Sequence, residues 1–251
     1  MQSIKYTFLF PYLDRIPQTR ATLVSLVTFY GTREDVEILF ILDQKQTLVM
    51  TRELLNLVDA FHAFFKIRLI PCSAKIAYDP ATAYNDGAKE ARGDFLILSS
   101  PECQHDVDIL KGLDAEFQKN MGAYVICSCK ATNPDGSFRR WYQHSIHGNR
   151  ALNFCTALSR ENFNLVKGFN EEYTIGYGYD DDSFRDRVFY SNIPFVFRDD
   201  LQVTHQWHEK PRPNNFSQLF TRNKIIYSKE RLDQVMDKEL PFLSTKIART
   251  L

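Results

Sequence analysis

The chain has 251 residues, of which 31 are basic and 31 acidic, so its formal net charge is zero; 44% are hydrophobic and 25% charged. This is the composition of a soluble globular protein with enough chain to bury one large core or two small ones. The neutral balance excludes a protein built mainly for non-specific nucleic-acid binding, which needs a cationic excess.

The elements follow in chain order. Residues 4–10 (IKYTFLF) predict a buried strand closed by Pro11. Pro17 then opens a helix with Leu23, Leu26, Val27 and Tyr30 on one face, stopped at Gly31. Residues 36–42 (VEILFIL) predict a second strand ending at Asp43, and a helix over 47–65 carries Leu54, Leu57, Val58, Phe61 and Phe65. A short strand over 67–70, a helix over 80–91 and a strand over 95–98 complete the first half. Such alternation predicts an α/β protein with a mostly parallel central sheet and helices on both faces. Ligands of such sheets sit outside the carboxyl ends of the strands, here Pro11-Tyr12-Leu13-Asp14, Asp43-Gln44 and Ser99-Ser100-Pro101-Glu102.

The second half is less regular. A helix over 106–119, a strand over 123–129, a turn at 133–136 and a strand around 153–158 are expected, with an aromatic and basic segment, Arg139 to His144, between them. Residues 168–182 are punctuated by glycine and end in Asp180-Asp181-Asp182. Three adjacent carboxylates repel one another, so the run needs solvent, a helix N-terminus or a cation. The lead-in Gly176-Tyr177-Gly178-Tyr179 lets a backbone approach a ligand closely and offers rings to cover a sugar face.

The five cysteines are odd in number and show no CxxC or zinc-ribbon spacing, which predicts reduced thiols and a cytoplasmic protein. The N-terminal apolar run is too short for a secretory signal, and no stretch reaches the roughly 18 apolar residues of a membrane span. From residue 210 the chain is richer in Lys and Arg than in Asp and Glu. A helix there, with Phe216, Leu219, Phe220 and Ile226 on one side, would pack back on the domain; peripheral contact with an anionic membrane is the alternative.

The stretch FCTALSRENFNLVKGFNEEYTIGYGYDDDSFRDR resembles the C-terminal catalytic segment of β-1,4-galactosyltransferases, polypeptide GalNAc transferases and chondroitin-polymerase-type enzymes. The first half is similar to family 2 nucleotide-sugar transferases of the GT-A fold in its Pro11-Tyr12, Asp43, Tyr84-Asn85-Asp86-Gly87 and Ala91-Arg92-Gly93-Asp94 landmarks. The resemblance covers residues 4–208. It implies a GT-A (Rossmann-like) catalytic domain over 1–210, divided into a nucleotide-sugar-binding lobe (1–100) and an acceptor and catalytic lobe (101–210), with a short helical tail over 211–251 and no stem, anchor or lectin module beside it. It further implies an inverting, metal-dependent glycosyltransferase that moves a hexose or N-acetylhexosamine from a UDP-sugar to a glycan or glycoconjugate hydroxyl.

By the same resemblance, Asp181 is the general base and Asp180 binds donor sugar or acceptor. Pro11, Tyr12, Asp43, Asn85, Asp86, Ser100, Trp141 and Gly178 fall at donor-binding positions. The Asp-x-Asp of such enzymes is replaced by Ser100-Pro101-Glu102, so Glu102 becomes the metal ligand. His205 is its expected partner for Mn²⁺ or Mg²⁺, with His208 in reserve and His105 a helper. Two rival readings stand beside this one. A sugar nucleotidyltransferase wants a Gly-rich, basic loop after the first strand, and residues 11–17 hold no glycine. A non-catalytic nucleotide-sugar or glycan-binding protein of the same fold would account for the missing first acid.

Overall fold

The computed structural model describes residues 3–74, 80–209 and 213–247. Its first half runs β1 (Tyr6–Tyr12), α1 (Ile16–Tyr30), β2 (Val36–Leu42), α2 (Leu48–Asp59), β3 (Lys66–Pro71), α3 (Pro80–Glu90) and β4 (Phe95–Ser99). The second half adds β5 (Cys103–His105), α4 (Ile109–Lys119), β6 (Tyr124–Thr132), β7 (Phe138–Gln143), β8 (Cys155–Ser159) and α5 (Arg160–Leu165). A 3₁₀ turn (Glu171–Ile175), α6 (Asp180–Tyr190), β9 (Phe195–His205) and α7 (Phe216–Ile247) complete it.

All nine strands belong to one sheet, ordered β3-β2-β1-β4-β8-β6-β9-β5, with β7 paired to β6. Strands β3, β2, β1 and β4 run parallel to one another. Beyond β4 the pairing is mixed: β8 runs antiparallel to β4 and β6, while β9 is parallel to β6. Because both faces of β1 and β2 are covered, these strands read as unbroken apolar runs rather than alternating ones. Phe8, Phe10 and Phe40 point to one side, against Leu23, Leu26 and Leu54 of α1 and α2 and Leu113 and Phe117 of α4. Leu9, Leu39 and Ile41 point to the other, against Ala83, Tyr84 and Ala88 of α3 and Phe184 and Val188 of α6. At Gly87 a Cβ would lie 2.9 Å from Ile41 Cδ1 and 3.0 Å from Leu9 Cδ2, so glycine lets α3 close on the sheet.

The order β3-β2-β1-β4 places the site. The chain adds strands outward from β1 on one side, then crosses back to lay β4 on the other. The crevice of an α/β sheet opens at such a reversal, outside the carboxyl ends of the two central strands. Those ends are Leu13 to Arg15 after β1 and Ser100 to Glu102 after β4. All five cysteines are buried and free. Among the described residues no helix is long and apolar enough to cross a membrane.

At the opposite, N-terminal ends of the strands, Glu37 is 1% exposed and accepts hydrogen bonds from Thr7 Oγ1 (2.8 Å) and the Arg92 backbone N–H (2.6 Å), with Arg68 Nη2 at 3.3 Å. Glu37→Ala strands these donors, so it is expected to cost about 2–4 kcal/mol in urea unfolding.

Candidate active site

At the crevice Glu102 is nearly buried, and two groups converge on its Oε1: Arg15 Nε at 3.0 Å and His208 Nε2 at 3.6 Å. The backbone around Glu102 is fixed by Gln206, whose N–H (3.0 Å) and Nε2 (3.1 Å) both donate to the Glu102 carbonyl. Gln206 Nε2 also reaches Gln18 O and Thr22 Oγ1 of α1. The segment after β9 is thus pinned to the segment after β4. His208 Nδ1 lies 2.8 Å from the Glu209 carbonyl, which can only accept, so Nδ1 carries a proton. In the neutral ring Nε2 then turns its lone pair towards Glu102, the orientation that metal-ligating histidines take from their outer partners.

His205, the histidine favoured by the sequence, ends β9 with its ring inside. It meets Tyr142 and Phe154 edge-on at 5.3 and 4.9 Å and lies 5.3 Å from the His208 ring. His208 therefore stands beside the carboxylate, and the His205 ring lies next to that of His208. His105 is not brought to Glu102. Its ring packs on Phe8 and Tyr30, its Nδ1 is 2.7 Å from the Tyr30 hydroxyl, and burial pulls its pKa down to about 3, which keeps it neutral. Among the described residues no group of three or more His, Cys, Asp or Glu side chains could hold a metal. A cation bound to Glu102 and His208 would take its remaining ligands from substrate and water, and this oxygen and nitrogen pair suits Mn²⁺ or Mg²⁺.

The second half of the site is the start of α6. Asp180, Asp181 and Asp182 occupy its first turn, where the helix dipole offsets their mutual repulsion. Each has its own setting. Asp182 pairs with Arg150 (3.0 Å) and Arg185 (2.9 Å). Asp181 accepts a 2.6 Å hydrogen bond from Asn153 Nδ2, yet burial, with Asp182 adding to it, pushes its pKa up to about 6. Asn153 is held in turn, because its Oδ1 accepts from Thr156 Oγ1 (3.1 Å) and Tyr124 OH (3.3 Å). The Tyr84 hydroxyl sits between the carbonyls of Ser99 (2.9 Å) and Asn153 (3.1 Å), joining the end of β4 to the residue that holds Asp181.

The turn into α6 is left-handed twice, at Gly178 (φ 72°) and Tyr179 (φ 70°), and α7 holds it there. Asn223 is wholly buried and its Nδ2 donates to the carbonyls of Gly178 (2.8 Å) and Tyr173 (2.9 Å). Gly176 passes so close that a Cβ there would lie 1.8 Å from Asn223 Oδ1. Tyr179 packs on Phe220 and Tyr227, Tyr177 packs on Phe216, and Glu230 accepts from Tyr173 OH (2.6 Å) and Ser183 Oγ (2.7 Å). The boundary expected at 210–211 lies outside the described residues.

The remaining predicted residues are scattered around the crevice. Asp43 follows β2 and accepts from the Lys45 N–H, while its own N–H donates to Tyr12 O. Tyr12 turns its ring inward against Phe40, and Pro11 beside it is half-buried. Ser100 Oγ lies 3.3 Å from Cys103 Sγ. Asp86 accepts from the Ser73 N–H (2.6 Å) and Lys89 (3.2 Å). Asn85 bonds both ends of its amide to the Phe169 backbone and Nδ2 also to Glu171, so it fastens α3 to the 3₁₀ turn. An open groove of about 650 Å³ runs past Asn85, Lys89, Lys167, Arg187 and Glu230, and Asn85 is the one predicted site residue that lines it. Trp141 lies on β7 with its ring among Phe138, His144 and His147.

A doubly covered, mostly parallel α/β sheet whose strand order reverses at its centre is the GT-A fold. Residues 7–193 match the family described as Glycosyl transferase family 2, and the chain belongs to that family. No curated protein sequence matches it. Among solved structures it is similar to the mannosyltransferase PcManGT from Pyrobaculum calidifontis in complex with GDP-Man and Mn²⁺, at 13% identity and a TM-score of 0.62, over 85% of this chain and 59% of that one. It is also similar to residues 1–349 of TarS from S. aureus (14%, TM-score 0.63, 81% and 60%). A third likeness is to GalNAc-T7 with UDP, GalNAc and Mn²⁺ (12%, TM-score 0.63, 83% and 45%). The chain therefore spans less than two thirds of the length of each of these structures. The likeness is one of fold.

Two measurements follow from Asp181 and the turn in front of it. A carboxyl whose pKa rises on folding stabilises the protein below its unfolded value, near 4, and that contribution is lost as pH rises through about 6. Asp181→Asn escapes the loss, so relative to wild type it should gain about 2 kcal/mol between pH 4 and 7 in urea unfolding. Asn223→Ala should cost about 2–3 kcal/mol and raise amide exchange over residues 176–181.

Proposed function

We propose that the protein is an inverting glycosyltransferase that moves a hexose or N-acetylhexosamine from a UDP-sugar to a hydroxyl of a glycan or glycoconjugate. The observation that carries this reading is Asp181: a carboxylate fixed by a buried amide at a helix start, with a pKa of about 6, in a chain of glycosyl transferase family 2. A pKa there leaves the group ionised at neutral pH and still basic enough to take a proton from an attacking hydroxyl. Direct displacement by that hydroxyl, with no enzyme-bound sugar, inverts the anomeric centre.

The other residues take roles by position. Asp180 would bind hydroxyls of the donor sugar or acceptor, and Asp43 would accept from a uracil ring against Pro11. The arginine-paired Asp182 holds the start of α6 still while Asp181 works. Glu102 and His208 would hold Mn²⁺ or Mg²⁺. When bound, such a cation neutralises the charge that develops on the departing nucleoside diphosphate. Two of the similar structures contain Mn²⁺, which supports a divalent cation in the reading. Ile225 and Leu232 are exposed on α7 among Lys224, Lys229 and Arg231, and this face would meet a membrane bearing a lipid-linked acceptor. A cytoplasmic location agrees with the five free thiols.

The test is release of free nucleoside diphosphate from a panel of nucleotide sugars with Mn²⁺ and glycan acceptors. Transfer should rise with pH through about 6, and Asp181→Asn should lower kcat by about 10²–10⁴. Full activity in that variant removes Asp181 as base. If no donor is turned over while UDP still binds, the protein is a binding protein of the same fold.

A further inference from the structure

The replaced acid motif leaves Glu102 with a neighbour the sequence did not single out. Arg15 is the last residue before α1, at the carboxyl end of β1, and its Nε lies 3.0 Å from Glu102 Oε1. His208 Nε2 approaches that same oxygen, and the Arg15 guanidinium sets a permanent positive charge against the atom best placed to ligate a cation. The contact is a loose one. Arg15 Nε is buried but is not aligned on any acceptor as a hydrogen bond, so the pair lacks the forked geometry that makes arginine and carboxylate hold firmly. Among the described residues the one directed bond from the guanidinium, Nη1 to the Asp14 carbonyl, is local. The side chain is 24% exposed, which leaves it a path into the crevice.

A divalent cation on Glu102 would stand within a few ångströms of the guanidinium, and like charges at that range in a nearly buried site repel strongly. Arg15 must then move off the carboxylate. The group that could receive it is the one this crevice would hold next to the cation, a diphosphate, which arginine grips with paired N–H donors. We propose that Arg15 is a diphosphate-binding residue held in reserve by Glu102: it neutralises the carboxylate in the empty site and passes to the diphosphate when a divalent cation takes its place. The proposal rests on the donor-site reading above and adds that cation and nucleotide bind cooperatively through one side chain.

Calorimetric titration with Mn²⁺ alone, UDP alone and the two together tests it without turnover. Wild-type protein should bind Mn²⁺ weakly alone and about tenfold more tightly with UDP, and by reciprocity the same factor applies to UDP. Arg15→Gln should bind Mn²⁺ alone about tenfold more tightly and UDP about tenfold more weakly, with most of the coupling lost. Arg15→Met keeps the aliphatic stem and should behave alike, and it decides the matter if Arg15→Gln does not fold. The proposal is overturned if a folded variant binds Mn²⁺ no more tightly, or binds UDP as wild type does. Wild-type protein that binds neither ligand overturns the donor-site reading itself, and this proposal with it.

Discussion

One buried amide, that of Asn153, ties the chemistry to the sheet. Its nitrogen donates to Asp181, its oxygen accepts from Tyr124 and Thr156, and its carbonyl meets the Tyr84 hydroxyl. Four elements, α3, β6, β8 and α6, are thereby referred to a single point. Each bond is ordinary in strength, about 1 kcal/mol net. Their joint effect is geometric, because a carboxylate on a helix start is aimed only as well as the groups that surround it. A tighter grip on Asp181 would also lower its pKa. The Asn153 bond and the cost of burial act in opposite directions, and burial prevails.

The sheet's centre could be read directly from sequence. Strands β1 and β2 are buried on both faces, so their composition alone marks them, and the helices between them announce the parallel order. The edges could not be read this way. Strand β7 begins with exposed Phe138, Arg139 and Arg140, a polar and aromatic face that no periodicity assigns to a strand. Strand β5 has three residues and exists because β9 lies beside it. The helix expected to reach residue 65 ends at Asp59, because the apolar Phe61 and Phe65 that suggested its continuation are buried from a turn instead.

The site divides along the same line. The acidic run was visible because three adjacent carboxylates need an explanation wherever they stand. Arg15, Gln206, Asn153 and Asn223 left no local signal, since each acquires its role from a partner 28 to 104 residues away. The choice between His205 and His208 is instructive. The former is the last residue of β9 and is drawn into the core by the sheet's alternation, while the latter lies where the chain has left the sheet and can turn to the crevice.

The close fit of Gly176 against Asn223 has a consequence in time. A ribosome delivers residue 181 well before residues 216–230, yet the latter supply the contacts that set the turn in front of Asp181. Until that late segment folds back, the carboxylate lacks its framework. Ordering of the start of α6 is therefore coupled to the arrival of α7, and a nascent chain that stops short of it carries a complete sheet without a fixed Asp181.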